Sequence, residues 1–86
     1  MSRALGFVRV QGRDELICLG SRGVLLTQTE TWVEVKVVDG HFDDNFPSVL
    51  LLFNPAGAPF VQLEKIGTHE RWWKSVHSND LRLETS

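Results

Sequence analysis

Apolar and polar residues alternate over much of the chain. In residues 32–38, Val33, Val35 and Val37 fall on one side, with Glu34 and Lys36 on the other. This is the period of a half-buried strand rich in β-branched residues. Residues 7–10 repeat the pattern, with Val8 and Val10 opposite Arg9. Residues 12–15 read as a turn, and residues 16–19 and 24–28 as short strands joined into a hairpin across Gly20-Ser-Arg-Gly23. Residues 39–47 form the main irregular loop. Residues 49–53 are apolar on both faces, as a central strand would be. Asn54-Pro-Ala-Gly57 carries turn chemistry at each place, and residues 60–66 return as a strand.

The segment 68–78 carries two periods at once. Trp72 and Val76 stand four apart, Thr68 is placed to cap and Glu70 falls in the first turn, which together predict a two-turn helix. Trp72, Lys74 and Val76 also alternate as a strand would. The helix is the reading adopted. Residues 81–83 are a final short strand or part of a flexible tail over 79–86. The expected fold class is α+β, mostly β: one domain over 1–86, a single antiparallel sheet of about six strands with a short C-terminal helix.

Composition narrows the function classes. Nine Lys and Arg against eleven Asp and Glu give a net charge of −2 and a pI near 5.8. That balance lacks the basic excess of a nucleic-acid footprint. At 42% hydrophobic residues the 86-residue chain has core enough to fold. A core this small gains from burial in an oligomer, and three Trp and five Phe supply contact material; a homodimer is expected. The single Cys18 excludes an internal disulfide and fits a reducing compartment. The apolar runs are too short to span a bilayer and no secretory leader is evident, so a cytoplasmic protein with no membrane partner is expected.

No phosphate loop, zinc spacing or nucleophile elbow is present, and nothing assembles a nucleophile, base and orienter. Asp43-Asp44 reads as a solvated pair and Cys18 as a structural thiol in an apolar strand. Arg71, Trp72, Trp73 and Lys74 could stack nucleobases, but core packing and partner contact account for the indoles better. His41 stands in the long loop beside Phe42 and two Asp, where an imidazole could ligate iron; surface exposure is the plainer reading for it, as for His69 and His77.

The opening Leu5-Gly6-x-Val8, followed by Arg13-Asp14 and Gly23, resembles the start of a repeat in the bacterial haem-utilisation carriers, also called the haemin-degrading protein family. Asp14 stands where that family usually has Asn. Residues 48–57, a strand ending in Phe53-Asn54 and turning through Gly57, resemble a later part of the repeat; Trp72 or Trp73 takes the place of the Trp in its helix. The two segments cover about half of the chain. A family repeat is about twice as long, and none of its iron-ligating histidines maps onto this sequence. The resemblance implies an antiparallel sheet with a C-terminal helix, and haem binding or trafficking as a non-enzymatic cytosolic domain. On that reading His41 is the candidate metal ligand and His77 the second, with Phe42, Phe46 and Trp32 lining the porphyrin. The alternative is an oligomerising protein–protein interaction module with no small-molecule ligand.

Overall fold

A computed structural model describes residues 3–10, 13–42 and 59–84, and every described element is a strand. They are β1 (Ala4–Val10), β2 (Arg13–Cys18), β3 (Arg22–Leu26), β4 (Trp32–His41), β5 (Phe60–Lys65), β6 (Arg71–Ser75) and β7 (Leu81–Leu83). The expected strand over 49–53, the turn at 54–57, Asp43-Asp44 and Phe46 lie outside the described residues, as does the facing of Val8 and Val10. Among the described residues no helix is long and apolar enough to cross a membrane.

The expected single sheet is corrected to two: the antiparallel pair β1–β2, and a five-stranded antiparallel sheet in the order β6-β5-β4-β3-β7. The reason lies at residues 18–21. Ser21 N donates to Cys18 O (3.1 Å), Cys18 N donates to the Ser21 hydroxyl (3.2 Å), and Gly20 takes a left-handed φ of 84°. Gly20 N and Val37 O, then Val37 N and Ser21 O, bond at 2.8 Å each. The turn is thereby pinned to β4. β3 pairs with β4 and β7 while β2 keeps β1, so residues 16–19 and 24–28 are not a hairpin.

The expected C-terminal helix is also corrected, because residues 71–75 are the edge strand β6. The turn before it bonds Thr68 N to Lys65 O (3.1 Å), with Gly67 at φ 87°. The Thr68 hydroxyl accepts from Glu70 N (3.1 Å), the bond an N-cap would make, but here it belongs to a turn that sends the chain out extended. Two isolated turns of helix are far below a self-sustaining length. Pairing with β5 satisfies one edge of the segment and lays Trp72 against the core.

That core is the inner face of the sheet. Leu25, Val35, Val37, Val61, Leu63 and Leu81 are buried there, joined by Ile17 of β2 and flanked by Leu5, Phe42 and Trp72. The valine period of β4 holds as expected: Val35 and Val37 are buried, Val33 half-buried and Glu34 exposed. A bulge between Val37 and Asp39 then carries β4 on to His41.

The sheet curls. If flat, β6 and β7 would stand about 19 Å apart, four strand spacings of about 4.8 Å. Their link makes two tight turns, closed by Ser78 N to Ser75 O (3.0 Å) and Leu81 N to Ser78 O (3.3 Å), and each turn keeps its ends within about 7 Å. Lys74 beside the link reaches Asp80 at 3.8 Å. The link therefore brings the Ser75 end of β6 to the start of β7 beside Leu26, and β6 faces the end of β3 and the β3–β4 turn across an open seam.

Candidate functional site

The seam holds a cavity of about 610 Å³. Leu25 and Val33 form its floor and half-buried Trp72 one wall. Lys65, Glu70, Lys74 and Asp80 stand around it, two charges of each sign. The β3–β4 turn supplies Thr27, Thr29 and Thr31, whose hydroxyls are linked: Thr27 Oγ1 lies 2.9 Å from Thr29 Oγ1 and donates to Thr31 O at 3.1 Å. Glu30 in that turn is held at φ 59°, a left-handed value unusual for a residue with a side chain.

Among the described residues, one edge of the seam is unpaired main chain. Lys65 N donates to Glu70 O and Val76 N to Pro59 O, both at 2.9 Å. Antiparallel bonding alternates, so Trp72 and Lys74 direct their N–H and C=O groups at β5, whereas Arg71, Trp73 and Ser75 direct theirs away from it. Ser75 O already accepts from Ser78 N, and the residue is 1% exposed. The outward groups of Arg71 and Trp73 have no hydrogen-bond partner among the described residues. The side chains divide by parity: Glu70, Trp72 and Lys74 line the cavity, while Arg71 and Trp73 take the outer face.

On that outer face Glu64 is buried and accepts two bonds from Arg71, from Nε at 3.0 Å and Nη2 at 2.9 Å, with Lys36 Nζ at 3.7 Å. The Arg71 hydrogen bond holds the Glu64 carboxyl below its ordinary pKa, against the opposing effect of desolvation.

No family model matches the chain, and no curated protein or solved structure is significantly similar to it.

The described residues among those expected around a haem, His41, Phe42, Trp32 and His77, do not share one site. His41 ends β4, half-buried, with its ring 5.4 Å from Trp73. Phe42 follows it and packs over Gly6 and Gly40, close enough that a Cβ on either glycine would meet its ring at 2.7–2.9 Å. Trp32 opens β4, nine residues and about 30 Å away along the strand. It is 44% exposed, under the guanidinium of Arg82 at 5.2 Å. His77 is exposed in the turn after β6, at the His41 end of the sheet, since Phe60 pairs with both His41 and Ser75. Of the described members of that set, His41 and Phe42 come together, in a smaller cavity of about 560 Å³ between β1 and β4 with Arg3, Leu5, Leu19 and Val38. Among the described residues no three His, Cys, Asp or Glu side chains cluster as a metal site. Sequence reasoning missed Lys65, Glu70 and the threonine turn. The signal for the seam was the period-2 run Glu70-x-Trp72-x-Lys74, masked by the helical spacing of Trp72 and Val76.

Proposed function

We propose that this chain is a non-catalytic, self-associating interaction module whose contact is the β6 edge beside the seam. The observation that carries the reading is the coincidence of two features on one strand. Arg71 and Trp73 offer main-chain donors and acceptors that are unbonded among the described residues, and Trp72 beside them walls an apolar-floored cavity. An open edge of this kind is a template for another strand, and the partner that every molecule meets at equal concentration is its own copy. Sedimentation velocity across a wide concentration range tests it: a reversible dimer is expected, and a monomer at every concentration refutes it.

A second reading rests on the smaller cavity. His41 stands there with apolar Leu5, Leu19, Val38 and Phe42 and the cationic Arg3, a donor set suited to haem iron, porphyrin and propionate. This agrees with the partial resemblance to the haem-utilisation carriers. Ligation would turn the imidazole off Trp73. Haemin titration should then give a Soret shift and a change in indole fluorescence, both lost in His41→Ala; no shift at micromolar haemin refutes it.

A further inference from the structure

The β6 edge fixes how a second copy would sit. Resting on the self-association just proposed, we infer that two copies pair β6 to β6 antiparallel about a two-fold axis at Trp72, so that Glu70 of each faces Lys74 of the partner subunit.

The register follows by elimination. Residues that direct their main chain outward must bond to outward residues of the other copy. Only Arg71, Trp73 and Ser75 do so on β6. A two-fold at Trp73 would place Ser75 opposite Arg71 of the partner subunit, but Ser75 is 1% exposed and its carbonyl is engaged by Ser78. A two-fold at Arg71 would set two guanidinium groups directly opposite each other, a repulsive cross-strand pair. A two-fold at Trp72 has neither fault. Arg71 exchanges both main-chain bonds with Trp73 of the partner subunit, and by symmetry the reverse, for about four new hydrogen bonds.

From residue 70 to residue 74 the side-chain pairs this register creates are complementary. On the cavity face Trp72 meets Trp72 of the partner subunit at a non-hydrogen-bonded position, where Cβ atoms come closest and aromatic pairs contribute most. Glu70 meets Lys74 of the partner subunit twice, and all three residues already line the cavity. On the outer face the Arg71 guanidinium, held by Glu64, lies across from the Trp73 indole of the partner subunit. The contact is small, so association in the micromolar range is expected.

The test reverses one side of the cross-strand charge pair at a time. Glu70→Lys puts Lys opposite Lys, and Lys74→Glu puts Glu opposite Glu. The second is made with Asp80→Lys, so that the ion pair within the protomer survives reversed. Each variant alone should dimerise about tenfold more weakly than the parent. An equimolar mixture should form a heterodimer, because both cross-pairs become attractive. An independent readout places Glu70→Cys in one preparation and Lys74→Cys in another, both with Cys18→Ser. Non-hydrogen-bonded partners stand about 4.5 Å apart at Cα, within disulfide reach. Under mild oxidant the crosslink should form in the mixture and in neither preparation alone. A dimer indifferent to the charge reversals, or no mixed crosslink, overturns the register while leaving self-association standing. A monomeric parent overturns both.

Discussion

The β3–β7 pairing has almost no clearance, and Gly23→Ala measures how much of the fold hangs on it. Gly23 lies opposite Val35 on one side and Leu83 on the other. A Cβ there would collide with the carbonyl oxygen of Arg82 and stand 2.9 Å from Leu83 Cα. Both obstacles are main chain, so no rotamer change relieves them. β7 must move away, and it is only three residues long, held at its ends by Leu26 N to Asp80 O and Glu84 N to Arg22 O at 2.8 Å each. Overpacking of this kind costs about 1–3 kcal/mol, and loosening the two flanking bonds adds about 1 kcal/mol each at most. A loss of about 2–3 kcal/mol lowers Tm by about 10–20 °C in a domain of this size. Gly67→Ala is the internal control. Gly67 has φ 87° but nothing within 4 Å of its Cβ position, so only backbone strain of about 1–2 kcal/mol applies, offset in part by a stiffer unfolded chain. Thermal and urea unfolding should rank the two, with Gly23→Ala losing at least twice as much and its Leu26 and Glu84 amides exchanging faster. A near-neutral Gly23→Ala, or the reverse order, would refute the account of the β3–β7 contact.

Two further outcomes follow from single residues. Glu64 is held below its ordinary pKa by Arg71, so its ionised form contributes stability that is complete above the usual glutamate range and is lost as pH falls through its folded pKa; urea midpoints should fall below pH 4.5, the ordinary value, and Glu64→Gln should flatten that limb. Glu30 sits at φ 59°, exposed, with its N–H donated to Thr27 O at 2.9 Å. Asn tolerates that conformation better, so Glu30→Asn should raise stability by about 0.5–1 kcal/mol in the same assay; an unchanged or lower midpoint would show that the turn carries no strain.

What the chain order reveals depends on how local each contact is. The alternation at Val33, Val35 and Val37 needs only a face to bury, and it appears as read. Gly20 and Gly67, in turns, take the left-handed conformations that glycine tolerates. The pairing partners were not legible, because what decides them is the bond from Gly20 N to Val37 O, seventeen residues on. The helix reading failed for a related reason. Residues 70–76 satisfy both periods, and only the presence of β5 alongside selects the strand. The haem set dispersed because it was gathered by residue type: Trp32 and His41 occupy opposite ends of one strand. The seam residues escaped notice because Lys65, Glu70 and Lys74 are unremarkable charges until β6 pairs with β5 as a strand and alternation puts them on one face with Trp72.

That curl and the open edge have one cause. β7 has three residues, level with Leu25 to Gly23 of β3, and none of them lines the cavity. Leu81 and Leu83 lie on the inner face, and the main chain of Arg82 bonds to β3 rather than across the seam. The Ser75–Leu81 link draws the end of β6 to the start of β7 and Lys74 fastens to Asp80 there, so Ser75 is sealed while Arg71 and Trp73, farther along β6, keep outward groups that are unbonded among the described residues. Proline at residue 73 removes an outward N–H while breaking no bond to β5, so Trp73→Pro should lose the dimer and keep the fold, whereas a dimer that survives it would show that this edge is not the contact.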